Sequence, residues 1–279
     1  MTTLLSCTMH DMPLSPLVSL STDFGPGNKG IGVMKSVILQ ICPQAQILDL
    51  AHDIHGFNVK EGAKLLEAAA WLPVGCHVCV VDPGVGTARR ALIIETGRGD
   101  RLIGPDNGVL LPVTRFLGGI QSVHDITNER FMRLPVSPTF HGRDVFAPAA
   151  AHLASGVPLQ EFGQALPAEN LCAAAYEEAK AEHGMIRAEA VVINRFGSVF
   201  LNVLQEEFHR LFTPGAEVLL DMRGTRVRVP YRKTFGDVPP ASAVVLDDDF
   251  GRVEVAINQG SFAEKHRVRV GDPVVFRQG

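Results

Sequence analysis

The chain has 279 residues, 46% hydrophobic and 20% charged, with a formal net charge of −4 at pH 7. With a mean hydropathy of +0.14, it can fill one large core or two modest ones, which excludes a mostly disordered protein. The mildly acidic balance gives no reason to expect nucleic acid or an anionic membrane as partner, and no apolar run approaches the ~20 residues of a spanning helix.

Residues 1–16 lack a basic segment and a long apolar run, so they read as a loose tail and not as a signal peptide. Leu17 to Thr22 reads as a first strand ending at Asp23. Phe24 to Gly32 is a glycine-rich loop. Val33 to Ile41 has helical spacing, with Met34, Val37, Ile38 and Ile41 on one face, and Pro43 closes it. Gln46 to Leu50 is a second strand, His52 to Asn58 a loop, Val59 to Leu72 a second helix and Val78 to Val81 a third strand. This alternation predicts an α/β domain around a mainly parallel central sheet. Ala91–Glu95, Arg101–Gly104 and Ser122–Ile126 follow as strands. Helices are expected over Val109–Leu117, with Pro112 near its first turn, and over Val145–Ala154.

Residues 167–182 change character to Ala, Glu and Lys without a core stripe, so 17–166 reads as the α/β domain and 167–186 as a linker. Beyond it the apolar period falls to two. Arg187–Asn194, Val199–Leu204, Glu217–Asp221, Thr225–Val229, Ala243–Leu246, Arg252–Ile257 and Pro273–Phe276 all suit strands, punctuated by glycines. Residues 187–279 thus predict a small antiparallel, barrel-like β domain. The five cysteines (Cys7, Cys42, Cys76, Cys79, Cys172) are odd in number and scattered, which argues against a disulfide framework and for a cytoplasmic protein. Cys76-x-x-Cys79 leads into a strand and lacks the second pair that zinc needs, so its thiols are expected to be buried and structural.

Several stretches carry chemistry-bearing side chains. Asp82-Pro83-Gly84-Val85-Gly86-Thr87-Ala88-Arg89-Arg90 sets a carboxylate and two guanidinium groups on a tight turn between apolar runs, and strand ends of α/β sheets are where sites form. Gly25-Pro26-Gly27-Asn28-Lys29-Gly30 fits G-x-G-x-x-G, with Asp49 about twenty residues further on. Pro26 removes a backbone N–H from that turn, which argues against dinucleotide binding and leaves a small-ligand loop. Asp23 either accepts hydrogen bonds from a ribose diol or caps the turn. His52-Asp53-Ile54-His55 offers metal-ligand types, but catalytic zinc needs a third ligand, and the two histidines read as ordinary surface residues. Phe57, Phe140, Phe196 and Phe235 sit beside loops, where a ring either stacks on a planar base or packs in the core. In His141-Gly142-Arg143-Asp144 the imidazole beside a carboxylate and a guanidinium suits the positioning of a water, with Asp144 expected to cap the next helix and Arg143 on the surface.

Taken together, Ser21-Thr22-Asp23-Phe24-Gly25, Gly32-Val33-Met34-Lys35, the Asp82–Arg90 stretch, Pro105-Asp106-Asn107-Gly108, Phe140–Asp144 and Arg195-Phe196-Gly197 resemble the SAM hydroxide adenosyltransferases. These are adenosine-forming S-adenosyl-L-methionine (SAM) hydrolases related to fluorinase and chlorinase. The resemblance spans about residues 17 to 277. It implies water attack on the ribose C5′ of SAM, giving adenosine and L-methionine, in a homotrimer with sites between subunits and without metal or cofactor. By motif position, Asp82, Arg89 and His141 would hold the water, and Asp23 the ribose hydroxyls. Phe57 and Phe235 would sandwich sugar or adenine. Phe196 and Ser198 would lie on the adenine side, with Thr139 and Phe140 lining the site. The halogenase relatives carry Tyr, Thr and Ser where this chain has Asp82, Val85 and Gly142, so halide chemistry is disfavoured. The chain departs from the family at Asn28 and Asn194, where the family has Asp, at Ser198, where it has Asn, and at Asn258-Gln259, where it has Asn-Ser. Asn28, Asn194 and Gln259 fall where the methionine ammonium and carboxylate would be held. Other acids (Asp247 to Asp249, or Glu254) then compensate, or SAM binds weakly, or the sulfonium has a different amino-acid end. A non-catalytic nucleoside-binding protein is the alternative.

Overall fold

The computed structural model describes residues 15–278, so the expected N-terminal tail lies outside the described residues except for its last two. The first half builds β1 (Leu17–Thr22), α1 (Lys29–Ile41), β2 (Gln46–Ala51), α2 (Val59–Leu66), β3 (Cys76–Val80), β4 (Ala91–Thr96), β5 (Arg101–Pro105), α3 (Leu111–Thr114), β6 (Ile120–Asp125) and α4 (Ala147–Ala154). Six strands form one sheet in the order β2-β1-β3-β5-β4-β6. The first three pairings are parallel and the last two antiparallel. β3 is buried along its whole length, as expected of a strand covered on both faces. Val78 and Val80 join Met34, Val37 and Ile38 of α1 and the alanines of α4 in one core. Cys79 and Val81 join Ala63 and Leu66 of α2 and Val113 of α3 in the other.

This topology positions the site. From β1 the chain runs through α1 to β2 on one side and returns through α2 to β3 on the other. The two connecting helices lie on opposite faces of the sheet, so a crevice opens at the carboxyl ends of β1 and β3. Thr22 pairs with Val80, and Asp23 and Asp82 are found just beyond those two strands.

The second half contains β7 (Ala181–Glu182), β8 (Met185–Ile193), β9 (Val199–Leu204), α5 (Gln205–Phe208), β10 (Glu217–Met222), β11 (Thr225–Pro230), β12 (Ala243–Asp247), β13 (Arg252–Ile257), α6 (Phe262–His266) and β14 (Pro273–Gln278). Its sheet runs β11-β10-β14-β8-β9-β13-β12, with antiparallel neighbours and β7 added to β8. A bridge between Tyr231 and Val245 brings the first and last strands together and nearly closes a barrel. Alternate residues such as Val199, Leu201, Val203, Val218, Leu220 and Phe276 fill its interior.

Several expected boundaries move for local reasons. α1 begins at Lys29 rather than Val33, because Asn28 Oδ1 caps Gly30 N at 2.8 Å. The second helix is α-helical only to Leu66 and tightens to a 3₁₀ turn over Glu67–Trp71. The third is one α-turn followed by a 3₁₀ turn, and the fourth opens with a π-turn over Gly142–Phe146. The segment read as a linker is tied down. Cys172 N donates to Asp106 Oδ1 at 2.9 Å, and the buried Tyr176 donates its hydroxyl to Glu67 at 2.6 Å. Cys76 and Cys79 are free and buried, as expected, with burial pushing both thiols up to about 12.

Candidate active site

Asp82, Arg89 and His141 form one connected cluster. The turn after β3 folds back through Val85 N to Asp82 O and Thr87 N to Gly84 O, which returns Arg89 to Asp82. Arg89 Nε donates to Asp82 Oδ1 at 2.9 Å and to Oδ2 at 3.1 Å, and its terminal nitrogen reaches Oδ2 as well. That same nitrogen is 2.9 Å from His141 Nδ1. The Arg89 guanidinium also sits 5.2 Å from the centre of the Phe146 ring. Gly86 makes this meeting possible. It has φ +76°, and a Cβ there would lie 2.2 Å from the Pro138 carbonyl oxygen, so only glycine lets the Asp82 turn approach the segment that carries His141.

Arginine has no acceptor, so His141 Nδ1 accepts and the neutral imidazole carries its proton on Nε2. Burial, followed by the Arg89 charge, holds the imidazole below its usual range, while Asp82 and Asp144 oppose them. Asp144 does not cap a helix and Arg143 does not stand free, contrary to the sequence expectation. Asp144 is fully buried and accepts from Arg143 Nε at 2.6 Å and from Ser137 N at 2.9 Å. It gathers the 133–139 segment beside His141. Arg143 in turn lies 5.1 Å from the Phe140 ring centre.

Phe140 joins this cluster to the β1 loop. Its ring meets Phe24 edge-on at 5.9 Å and would lie 3.2 Å from a Cβ on Gly30. Thr139 is exposed, its backbone N–H 3.4 Å from Ser137 Oγ. Asp23 Oδ2 accepts from Phe57 N at 2.9 Å and holds that exposed residue at φ +65°. Asn28 is spent locally, since its Nδ2 donates to Phe24 O at 3.0 Å while its Oδ1 caps α1. In the glycine loop, the acid that a dinucleotide ribose would need, Asp49, is instead paired with Lys35 at 2.6 Å.

Of the two histidines read as surface residues, only His55 is one. Its Nδ1 lies 2.8 Å from Glu61. The His52 side chain is largely buried. Its Nδ1 is 2.9 Å from Thr22 Oγ1, and its Nε2 is 3.0 Å from Asp49 but out of line for a hydrogen bond. The two rings therefore face different partners.

The other five expected binding residues, Asn194, Phe196, Ser198, Phe235 and Gln259, line a single cleft of about 820 Å³ on the barrel. Asn194 Oδ1 accepts from Phe196 N and Ser198 N, both at 3.0 Å, which forms a tight turn after β8. Gly197, at φ +79°, brings that turn against Ser261, whose Oγ would lie 2.0 Å from a Cβ there. Thr234 caps the turn that presents Phe235, with Asp237 completing a reciprocal capping box. Phe57 and Phe196 are 76% and 73% exposed, so neither ring is spent on the core. Sequence reading quoted Asn107 within the Pro105–Gly108 motif but gave it no task; its Nδ2 donates to Val81 O at 2.8 Å and fixes the residue before Asp82. Sequence reading overlooked Phe200, Lys233, Thr234 and Phe250 in the cleft wall. Of these cleft-wall residues, only Thr234 had a legible signal, the Thr-x-x-Asp spacing of its capping box.

Comparison with known proteins gives a consistent result. Residues 18–163 match the SAM hydroxide adenosyltransferase N-terminal domain and residues 188–275 its C-terminal domain. The chain is 37% identical over 262 residues to the (R)-S-adenosyl-L-methionine hydrolase of Salinispora tropica, covering 94% of this chain and 97% of that one. It is 34% identical to the hydrolase of the same name from Thermus thermophilus, covering 94% and 99%. A fluorinase from Nocardia brasiliensis is 22% identical, covering 95% and 97%. Among solved structures, an uncharacterized conserved protein from Thermotoga maritima superposes with a TM-score of 0.87 at 31% identity, covering 94% of this chain and all of that one.

Proposed function

This chain belongs to the SAM hydroxide adenosyltransferase family, and from that premise we propose that it hydrolyses SAM to adenosine and L-methionine. The observation that carries the reading is the Asp82–Arg89–His141 cluster at the crevice of the parallel sheet. The sulfonium sulfur is already a good leaving group, so the protein's task is to hold and align a water. The water oxygen bonds to ribose C5′ as the C5′–S bond breaks. The electron pair of that bond goes to sulfur, which leaves as the neutral thioether of methionine. Because Arg89 occupies the His141 Nδ1 lone pair, the Asp82 carboxylate is the group that accepts the water proton. The imidazole Nε2–H holds the water oxygen, and Arg89 stabilises developing hydroxide character.

Asp23 receives the ribose hydroxyls, and Phe57, Phe196 and Phe235 stack on the nucleoside, with Thr139 and Phe140 closing the wall. A homotrimer in which one subunit's catalytic cluster faces a neighbour's cleft agrees with the exposure of Phe57 and Phe196. We read the enzyme as cytoplasmic; no helix among the described residues is long and apolar enough to cross a membrane. Halide transfer is disfavoured because Gly142 offers no hydroxyl donor where the halogenases carry serine, and the Asp82 carboxylate would repel the anion. Turnover of SAM in ¹⁸O-labelled water tests the reaction. The expected product is adenosine carrying the label at its 5′-oxygen, and unlabelled adenosine would rule out water as the nucleophile.

A further inference from the structure

The cleft holds a carboxylate that the fold does not use. Glu254 of β13 lines it, is only 7% exposed, and has no hydrogen-bond or ion-pair partner among the described residues. Each charge that acts on it is already engaged or shares its sign, and Lys233, elsewhere in the cleft wall, is not among them. Lys64 of α2 is bonded to Asp248 at 2.8 Å and lies 3.2 Å from Glu67. Asp248 Oδ1 accepts from Phe250 N and Arg252 N, both at 2.8 Å. Asp247 of β12 takes the Tyr231 hydroxyl at 2.8 Å, and Asp249 borders the same cleft. Burial, then Asp248 and Asp249, push the Glu254 carboxyl up to about 7, with Lys64 opposing.

An unpaired buried carboxylate costs an empty protein stability. Nothing in the barrel needs this one, since its backbone already belongs to the sheet and Ala256 shows that the same face of β13 accepts an apolar residue. Asn194 and Gln259, which share the cleft, are neutral, and Asn194 Oδ1 is committed to backbone N–H groups. Resting on the reading of SAM as substrate, we propose that Glu254 receives the α-ammonium group of the substrate's amino-acid end. It thereby makes the cleft selective for an amino-acid-bearing nucleoside over a bare one.

The test uses Glu254→Gln, which keeps volume and removes charge. Two ligands are titrated calorimetrically: S-adenosylhomocysteine, which carries the ammonium without the sulfonium, and 5′-methylthioadenosine, which has no amino-acid end. The expected result is about a ten- to hundredfold loss of S-adenosylhomocysteine affinity in the variant, with 5′-methylthioadenosine unchanged within about twofold. The KM for SAM should rise in parallel while kcat is kept, a split that a merely structural residue would not give. In the unaltered protein, S-adenosylhomocysteine affinity should fall as pH drops from about 8 to 6, and 5′-methylthioadenosine affinity should not. That arm stands even if the variant does not fold. Equal loss for both ligands would assign Glu254 to the nucleoside and overturn the proposal, as would unchanged S-adenosylhomocysteine affinity. Adenosine release from SAM is measured alongside. If the unaltered protein releases none, the reaction fails while the ligand preference still reports on Glu254; if it releases adenosine and the variant binds both ligands normally, only the role of Glu254 fails.

Discussion

At the scale of single residues, the state of His141 decides how the site works. Its Nδ1 faces a permanent cation, so protonation would set two like charges 2.9 Å apart. Burial acts in the same direction and more strongly. The neutral ring is therefore the working form, and kcat should stay level as pH falls until below the ordinary histidine value of about 6.5, then decline. The sign for stability follows from the lowered folded-state value. Below about 6.5 the unfolded chain takes up a proton that the folded ring resists, so this group destabilises the fold as pH falls. Arg89→Leu removes the facing charge but not the burial. The His141 titration, followed by NMR, should then move up towards the ordinary value; an unmoved titration would mean that burial alone sets it. That His141 belongs with Asp82 and Arg89 was legible from the residue types and the family motif. That Arg89 occupies Nδ1, which on the proposed reaction leaves the proton to Asp82, depends on side-chain directions that no spacing encodes.

At the scale of elements, the Asp82–Arg90 turn is held at its base by residues that sequence reading left without a task. Asn107 donates to the Val81 carbonyl, and Asp106 takes Arg90 Nε at 2.8 Å, so both ends of the Asp82–Arg90 turn are fastened to the end of β5. Asn107→Asp keeps the shape and loses the donor, setting a carboxylate oxygen against a carbonyl. The expected cost is about 1–3 kcal/mol in urea unfolding. Turnover should fall by about tenfold or more, with adenosine affinity unchanged because the cleft on the barrel is untouched. A variant with normal kcat would show that Asp82 needs no such support. The strands and helices were readable because burial on both faces leaves apolar runs and burial on one face leaves a period. Helix starts were not, since a side-chain cap such as Asn28 outweighs the apolar pattern by a whole turn. The linker expected over 167–186 shows no apolar stripe because polar groups fasten it, Cys172 N to Asp106 and Tyr176 to Glu67.

At the scale of the whole molecule, the two sheets are joined by buried charges. Arg252 of β13 is fully buried. Its Nε bonds both Glu67 oxygens at 2.9 and 2.8 Å, and its two terminal nitrogens reach Glu178 at 2.7 and 2.8 Å. Lys64 adds a second tie across to Asp248. Glu67 and Arg252 are 185 residues apart, and each reads in sequence as an ordinary surface charge, so no local pattern announces the pair. Together these ties hold the barrel at one fixed relation to the parallel sheet, and in the proposed trimer that relation would set where each cleft meets the neighbour's Asp82 cluster. Arg252→Met removes one partner and leaves Glu67 buried with only Lys64 and the Tyr176 hydroxyl. Losing one side of such a pair costs about 3–5 kcal/mol, whereas replacing both sides with apolar or neutral groups is often nearly neutral. The double variant Arg252→Met, Glu67→Gln should therefore recover most of the loss seen in urea unfolding of Arg252→Met. Recovery of stability without recovery of turnover would separate the two roles of the pair, since the neutral substitute no longer dictates where the barrel sits against the sheet. If the double variant were as unstable as the single one, the guanidinium itself, stacked 5.5 Å from Phe116 and 5.2 Å from Tyr176, would be what joins the two halves.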